Sequence, residues 1–166
     1  MRRVLVDTNV ALDVVLDRQP HSAVSSALLS AIEAGRCHGF LAAHAFTTVF
    51  YLTAKQRGRA AAHRAVKYLL SFIKVAAVDV TVLQRAALDE RADFEDAVTI
   101  AAAEAAQCDV LATRDPAGFK RGLVRAVAPE LVLAALAEEV HEPAATYGDA
   151  PKRRRRRAAT RKRPSR

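Results

Sequence analysis

The sequence predicts an α/β fold in which a parallel sheet of about five short strands carries helices on both faces. Three observations point there. Short apolar runs alternate with longer stretches whose apolar residues recur at helical spacing, the pattern of successive βαβ units. The first run, Val4-Leu5-Val6, is apolar throughout, as suits a strand buried on both faces, and it stops at the acid Asp7. Finally, 166 residues fit one domain with a real core, and with 51% hydrophobic but only 5% aromatic residues that core must be closely packed Ala, Val and Leu.

Taken in order, Val10, Leu12, Val14, Val15 and Leu16 predict a short helix capped by Thr8 or Asn9 and ended before Pro20. A second helix spans about 21 to 34, with Val24, Leu28, Leu29 and Ile32 on one face and Gly35 as its stop. The run from His38 to Ala43 reads as a strand, followed by a helix near 44–57 with Phe46, Val49, Phe50 and Leu52 as core candidates. Gly58 separates it from a helix near 59–73 carrying Ala65, Val66, Leu69, Leu70 and Phe72. Lys74 to Val78 is the third strand, and Asp79 or Thr81 opens a helix with Val82, Leu83 and Ala86 apolar. An alanine-rich helix starts near Asp93 and ends near Ala106. Asp109 to Thr113 and Leu123 to Val127 are the last strands, separated by a turn at Asp115-Pro-Ala-Gly118, and Pro129 suits the first turn of a final helix to about Glu139.

The net charge of +8 is unevenly distributed. The 15 residues from Lys152 hold ten of the 26 Lys and Arg and none of the 18 acids, which leaves residues 1–151 with 16 bases against 18 acids, a net of −2. Residues 1–140 are therefore expected to form the domain, and 141–166 a basic, disordered tail that includes Arg153, Arg154, Arg155, Arg156 and Arg157. No apolar run approaches the roughly 18 residues of a membrane span, and no signal-peptide core opens the chain. Cys37 and Cys108 fit no metal spacing and read as buried thiols of a reducing compartment. A cytoplasmic location is expected.

Three acids occupy places where such a sheet binds ligands, at the carboxyl ends of its strands. Asp7 follows the first strand, Asp115 follows the fourth by two residues, and Asp96 lies in the first turn of the alanine-rich helix. Carboxylates crowded together repel, so Mg2+ or Mn2+, which favour oxygen ligands, is the expected partner. Each acid also has a plain structural role open to it. Asp96 can favour a helix dipole, Asp93 can cap the helix, and Asp115 before Pro116 can start a turn.

The combination resembles the PIN-domain family of metal-dependent ribonucleases, most closely its single-domain, VapC-like toxin branch. The likeness covers about residues 2–127 and rests on Val4-Leu-Val-Asp-Thr-Asn9, on Asp96 within Asp93-Phe-Glu-Asp-Ala-Val98, and on Val110-Leu-Ala-Thr-Arg-Asp115. It implies a PIN-like fold and an endoribonuclease, the toxin of a toxin–antitoxin pair, in which Asp7, Asp96 and Asp115 bind Mg2+ or Mn2+ while Asn9 and Thr113 hold ligands or water in place. It further implies an antitoxin protein as partner and often a homodimer. Chemically, the cation would generate a hydroxide from bound water and offset charge on the leaving oxygen.

The sequence departs from that family at one position. Many members carry a fourth acid, usually Glu, in the helix after the second strand, where this chain has Thr48, and no Asp or Glu occurs between Glu33 and Asp79. Asp93, or Asp13 on the first helix, is a candidate substitute. The same stretch holds seven cations, among them Arg57, Arg59, Arg64 and Lys67, which read either as solvated helix faces or as a phosphate-tracking surface. Arg114 reads either as a phosphate clamp or as the partner of a carboxylate. Of the five histidines only His44 falls near the expected crevice. Loss of the fourth acid leaves a second reading open, a catalytically weakened PIN-fold module that binds RNA. An Asp-nucleophile phosphatase fits poorly, because Asn9 stands where its second Asp would be.

Overall fold

A computed structural model describes residues 1–89, 93–119 and 122–141. The elements run β1 (Arg3–Val6), α1 (Thr8–Leu16), α2 (Ser22–Glu33), β2 (His38–Ala42), α3 (Ala43–Arg57), α4 (Arg59–Phe72), β3 (Lys74–Ala76), α5 (Val80–Ala87), α6 (Phe94–Ala105), β4 (Val110–Ala112), β5 (Arg125–Val127) and α7 (Pro129–His141). The tail expected at 141–166 lies outside the described residues beyond His141. Among the described residues, no helix is long and apolar enough to cross a membrane.

All strand pairings are parallel, in the order β3-β2-β1-β4-β5. The chain steps outward from β1 through β2 to β3, then returns past both to lay β4 on the other side of β1. Right-handed crossovers therefore put α1 to α4 on one face and α5 and α6 on the other, and α7 packs against α2. The strand order reverses between β1 and β4, so their carboxyl ends border the crevice where open α/β sheets bind ligands.

Burial follows from this layout. Val4, Leu5 and Val6 lie on the central strand and are fully buried, and the largest completely buried side chains are all Leu or Val. Phe46 and Val49 are inside as expected, whereas Phe50 and Leu52 are half-buried. Leu70 and Leu83, apolar residues of their helices, are exposed, because α4 and the short α5 each turn only a narrow stripe inward, through Ala62 and Leu69 and through Val82 and Ala86. Cys37 and Cys108 are free and buried, and burial pushes the Cys108 thiol up to about 11, consistent with packing rather than reactivity.

One glycine records how closely α2 approaches the sheet. A Cβ on Gly39, opposite Val4 in the sheet, would overlap the buried Ile32 side chain. Gly39→Ala is therefore expected to destabilise the fold by about 1–3 kcal/mol through overpacking, read as a lower urea midpoint at unchanged slope.

Candidate active site

The site begins with sheet register. Val6 pairs with Ala112, which brings the next residues, Asp7 and Thr113, side by side at the crevice. The Asp7 amide continues the ladder by donating to the Ala112 carbonyl at 2.9 Å, and the fully buried Thr113 donates its hydroxyl to Asp7 Oδ2 at 2.8 Å. Asp7 is also the N-cap of α1, accepting from the Asn9 amide at 3.4 Å. This corrects the cap expected at Thr8 or Asn9. The helix starts one residue earlier, and Thr8 already belongs to it. Asn9 lies at the exposed rim, where its side chain accepts from Arg18 at 3.5 Å.

Thr113 also ties in the second acid. Its Oγ1 accepts from the Asp115 amide at 3.1 Å, and Asp115 Oδ1 then accepts from the amides of Ala117 and Gly118 at 3.1 and 3.3 Å. Asp115 is thus a turn initiator whose Oδ1 is committed to the turn. Its Oδ2 lies 3.2 Å from where a Cβ on Gly118 would stand, and Asp96 Oδ2 lies 3.5 Å from the same point. Carboxylates from β4's end and from α6 therefore converge on a space left open by glycine.

Asp93 caps α6, accepting from the Glu95 amide at 2.9 Å, and Asp96 sits in the first helical turn. The helix N-terminus favours an anion there. Even so, the Asp96 carboxyl is pushed up to about 6, first by burial and then by the charges of Asp7, Asp93, Glu95 and Asp115. Asp7 is raised chiefly by burial, against which the bonds from Thr113 and Asn9 pull. The three expected acids are thus electrostatic neighbours. Among the described residues, however, no group of three or more His, Cys, Asp or Glu side chains is placed to hold a metal ion as the side chains stand.

Other residues fall out differently. Arg114 pairs with a carboxylate, Nη1 lying 3.2 Å from Oδ1 of the fully buried Asp13, whose Oδ2 accepts from Ser25 at 3.2 Å. Asp13 therefore ties the loop bearing Asp115 to α1 and α2, with both carboxylate oxygens engaged. Thr48 is half-buried on α3, one turn after His44. Arg57 donates to the Leu16 carbonyl at 2.8 Å, and with Arg64 it lines a groove of about 310 Å³ between α1, α3 and α4. Arg59 and Lys67 are exposed. Arg57 is about 20 Å along α3 from His44, given 1.5 Å of rise per residue. Arg153 to Arg157 lie outside the described residues.

Two residues near the acids carried little or no weight in the sequence. Glu95 Oε1 lies 3.5 Å from Thr8 Oγ1, and its charge acts on Asp7, Asp96 and His44. His44, at the start of α3, has both ring nitrogens shielded from solvent with no hydrogen-bond partner, and burial lowers its pKa. The available signal for Glu95 was its place beside Asp96 in a first helical turn, where adjacent side chains can straddle the helix end.

Residues 3–117 match the PIN-domain family. None of the curated proteins matches the chain. Among solved structures, it resembles Mycobacterium tuberculosis VapC20, a sarcin-ricin loop cleaving toxin, at 17% identity over 65% of this chain and 86% of that one, with a TM-score of 0.55. It also resembles a toxin–antitoxin complex from Klebsiella pneumoniae, at 19% identity over 76% and 97%, with a TM-score of 0.57. DNA-bound VapBC from Salmonella typhimurium is similar at 13% identity over 78% and 99%, with a TM-score of 0.60. At these identities the likeness to solved structures is one of fold.

The raised Asp96 value has a consequence for stability. The folded protein holds a proton that the unfolded chain has released, so this stabilisation is complete below about 3.8 and is lost as pH rises through about 6. In chelator, Asp96→Asn is expected to gain stability relative to the parent chain as pH rises through that window. Paired thermal denaturation curves on either side of it check this; a constant difference would contradict the charge crowding.

Proposed function

The chain belongs to the PIN-domain family, and on that premise we propose that it is a metal-dependent endoribonuclease, the toxin of a toxin–antitoxin pair. Asp7, Asp96 and Asp115 are the proposed catalytic acids and hold Mg2+ or Mn2+, with Asp93 beside them. The observation that carries this reading is the approach of Asp96 and Asp115 Oδ2 to the space above Gly118. An all-oxygen donor set that strains against its own charge fits a hard divalent cation. Such a cation would supply a hydroxide near neutral pH and offset charge on the scissile phosphate.

The chain's own groups do the rest. Thr113 orients Asp7 through its hydroxyl and steadies Asp115 through the backbone bond it accepts. Asp93 holds the first turn of α6 in place, so Asp96 keeps its direction. Arg114 anchors its loop through Asp13. RNA as substrate draws support from the resemblance to a toxin named for cleaving the sarcin-ricin loop, and an antitoxin partner from the resemblance to toxin–antitoxin complexes. A homodimer and a cytoplasmic location accompany the proposal. The basic residues of α3, α4 and the tail, Arg57, Arg59, Arg64, Lys67 and Arg153 to Arg157, would add affinity for RNA with little sequence discrimination.

A second reading, an RNA-binding module with weakened catalysis, is favoured by the uncharged Thr48. Labelled RNA separates the two. The full chain is expected to cleave it with Mn2+ or Mg2+, to stop in chelator, and to lose cleavage in Asp96→Asn. RNA retained but uncleaved under every condition would replace the nuclease with the binding module.

A further inference from the structure

We propose that Glu95 supplies the fourth carboxylate that α3 lacks at Thr48, joining Asp7, Asp96 and Asp115 as a ligand of the divalent cation. The inference rests on the metal site proposed above and assigns it one further residue. Three observations on different elements meet at Glu95. Its Oε1 lies 3.5 Å from Thr8 Oγ1, so it faces the residue next to Asp7. It stands directly before Asp96 in the first turn of α6, at the same helix end. And it is the charged neighbour of His44, whose ring nitrogens are both shielded and unpartnered.

His44 connects the two sides of the argument. It stands one turn before Thr48 on α3, so the two share a helix face. The element that carries no acid thus offers instead an imidazole beside an acid from α6. A buried imidazole without a hydrogen bond is uncommon. If Glu95 turns toward a cation, its second oxygen can accept from His44, as a hydrogen-bonded neighbour steadies a ligating carboxylate. His44 is then a positioning residue and Glu95 the ligand. Asp13 is less suited, since its two oxygens are taken by Arg114 and Ser25.

Glu95 is exposed, and Gln retains a side-chain oxygen that can face Thr8, so Glu95→Gln tests ligation without disturbing the fold. Mn2+ binding to the full chain, without RNA, is read by electron paramagnetic resonance for the parent, Glu95→Gln, His44→Ala and Asp96→Asn. The parent is expected to bind Mn2+ and Asp96→Asn to lose it. Glu95→Gln should weaken binding about 10- to 100-fold, His44→Ala should weaken it less, and His44→Ala should have no further effect in the Glu95→Gln background. Unchanged affinity in Glu95→Gln alongside loss in Asp96→Asn would overturn this inference and leave the metal site standing. Absence of binding in the parent chain would overturn the metal site, and Glu95's role with it.

Discussion

The hydrogen bond from Thr113 to Asp7 is the contact on which the site depends. It exists because β1 and β4 are paired in parallel with Val6 beside Ala112, so the residues that follow them emerge together at the crevice. A register slip of one residue would turn every side chain of β4 to the opposite face and remove Thr113 from Asp7. A carboxylate as buried as Asp7 needs such a donor, since burial without one disfavours its charge. The same hydroxyl accepts from the Asp115 amide, so one threonine sets the direction of acids that follow two strands. The core beneath, closely packed Leu and Val, makes that register costly to change.

Much of this was legible in the sequence because it depends on local pattern. Apolar runs ending in Asp7 and Thr113 predicted buried strands and the edge at which their followers would meet. The alanine-rich stretch after Asp93 predicted a helix, and Asp93 proved to be its cap. What was not legible depends on contacts between distant segments. Nothing local distinguishes Arg114 as a phosphate clamp from Arg114 as the partner of Asp13, because the choice is made by α1 packing beside the loop after β4. Glu95 was overshadowed by Asp96, and its neighbours Thr8 and His44 lie far away in sequence. The cap of α1 was misplaced by one residue because Thr8 and Asn9 are themselves good caps, while only the strand geometry shows that Asp7 has the extended backbone a cap needs.

The electrostatics explain why the chain separates its charges. The crevice gathers the charge of Asp7, Asp93, Glu95, Asp96 and Asp115, and the rise of Asp96 to about 6 records its burial first and their repulsion second. Such a crevice repels a phosphate. Arg114 is spoken for by Asp13, and Arg57 stands about 20 Å from His44 along α3. That is beyond a screening length of about 8 Å at physiological salt, so Arg57 is poorly placed to neutralise the acids. On the proposed reading the cations of α3 and α4 would hold RNA at a distance, while the reacting phosphate would need positive charge at the acids themselves. On the proposed reading, a divalent cation among the acids would ease the repulsion that adds to the rise of Asp96 and would present positive charge to the phosphate. Asp7, Asp93 and Asp115 are each held by backbone or side-chain bonds, and Asp96 takes its direction from the capped first turn of α6, so the crowding is built into the fold.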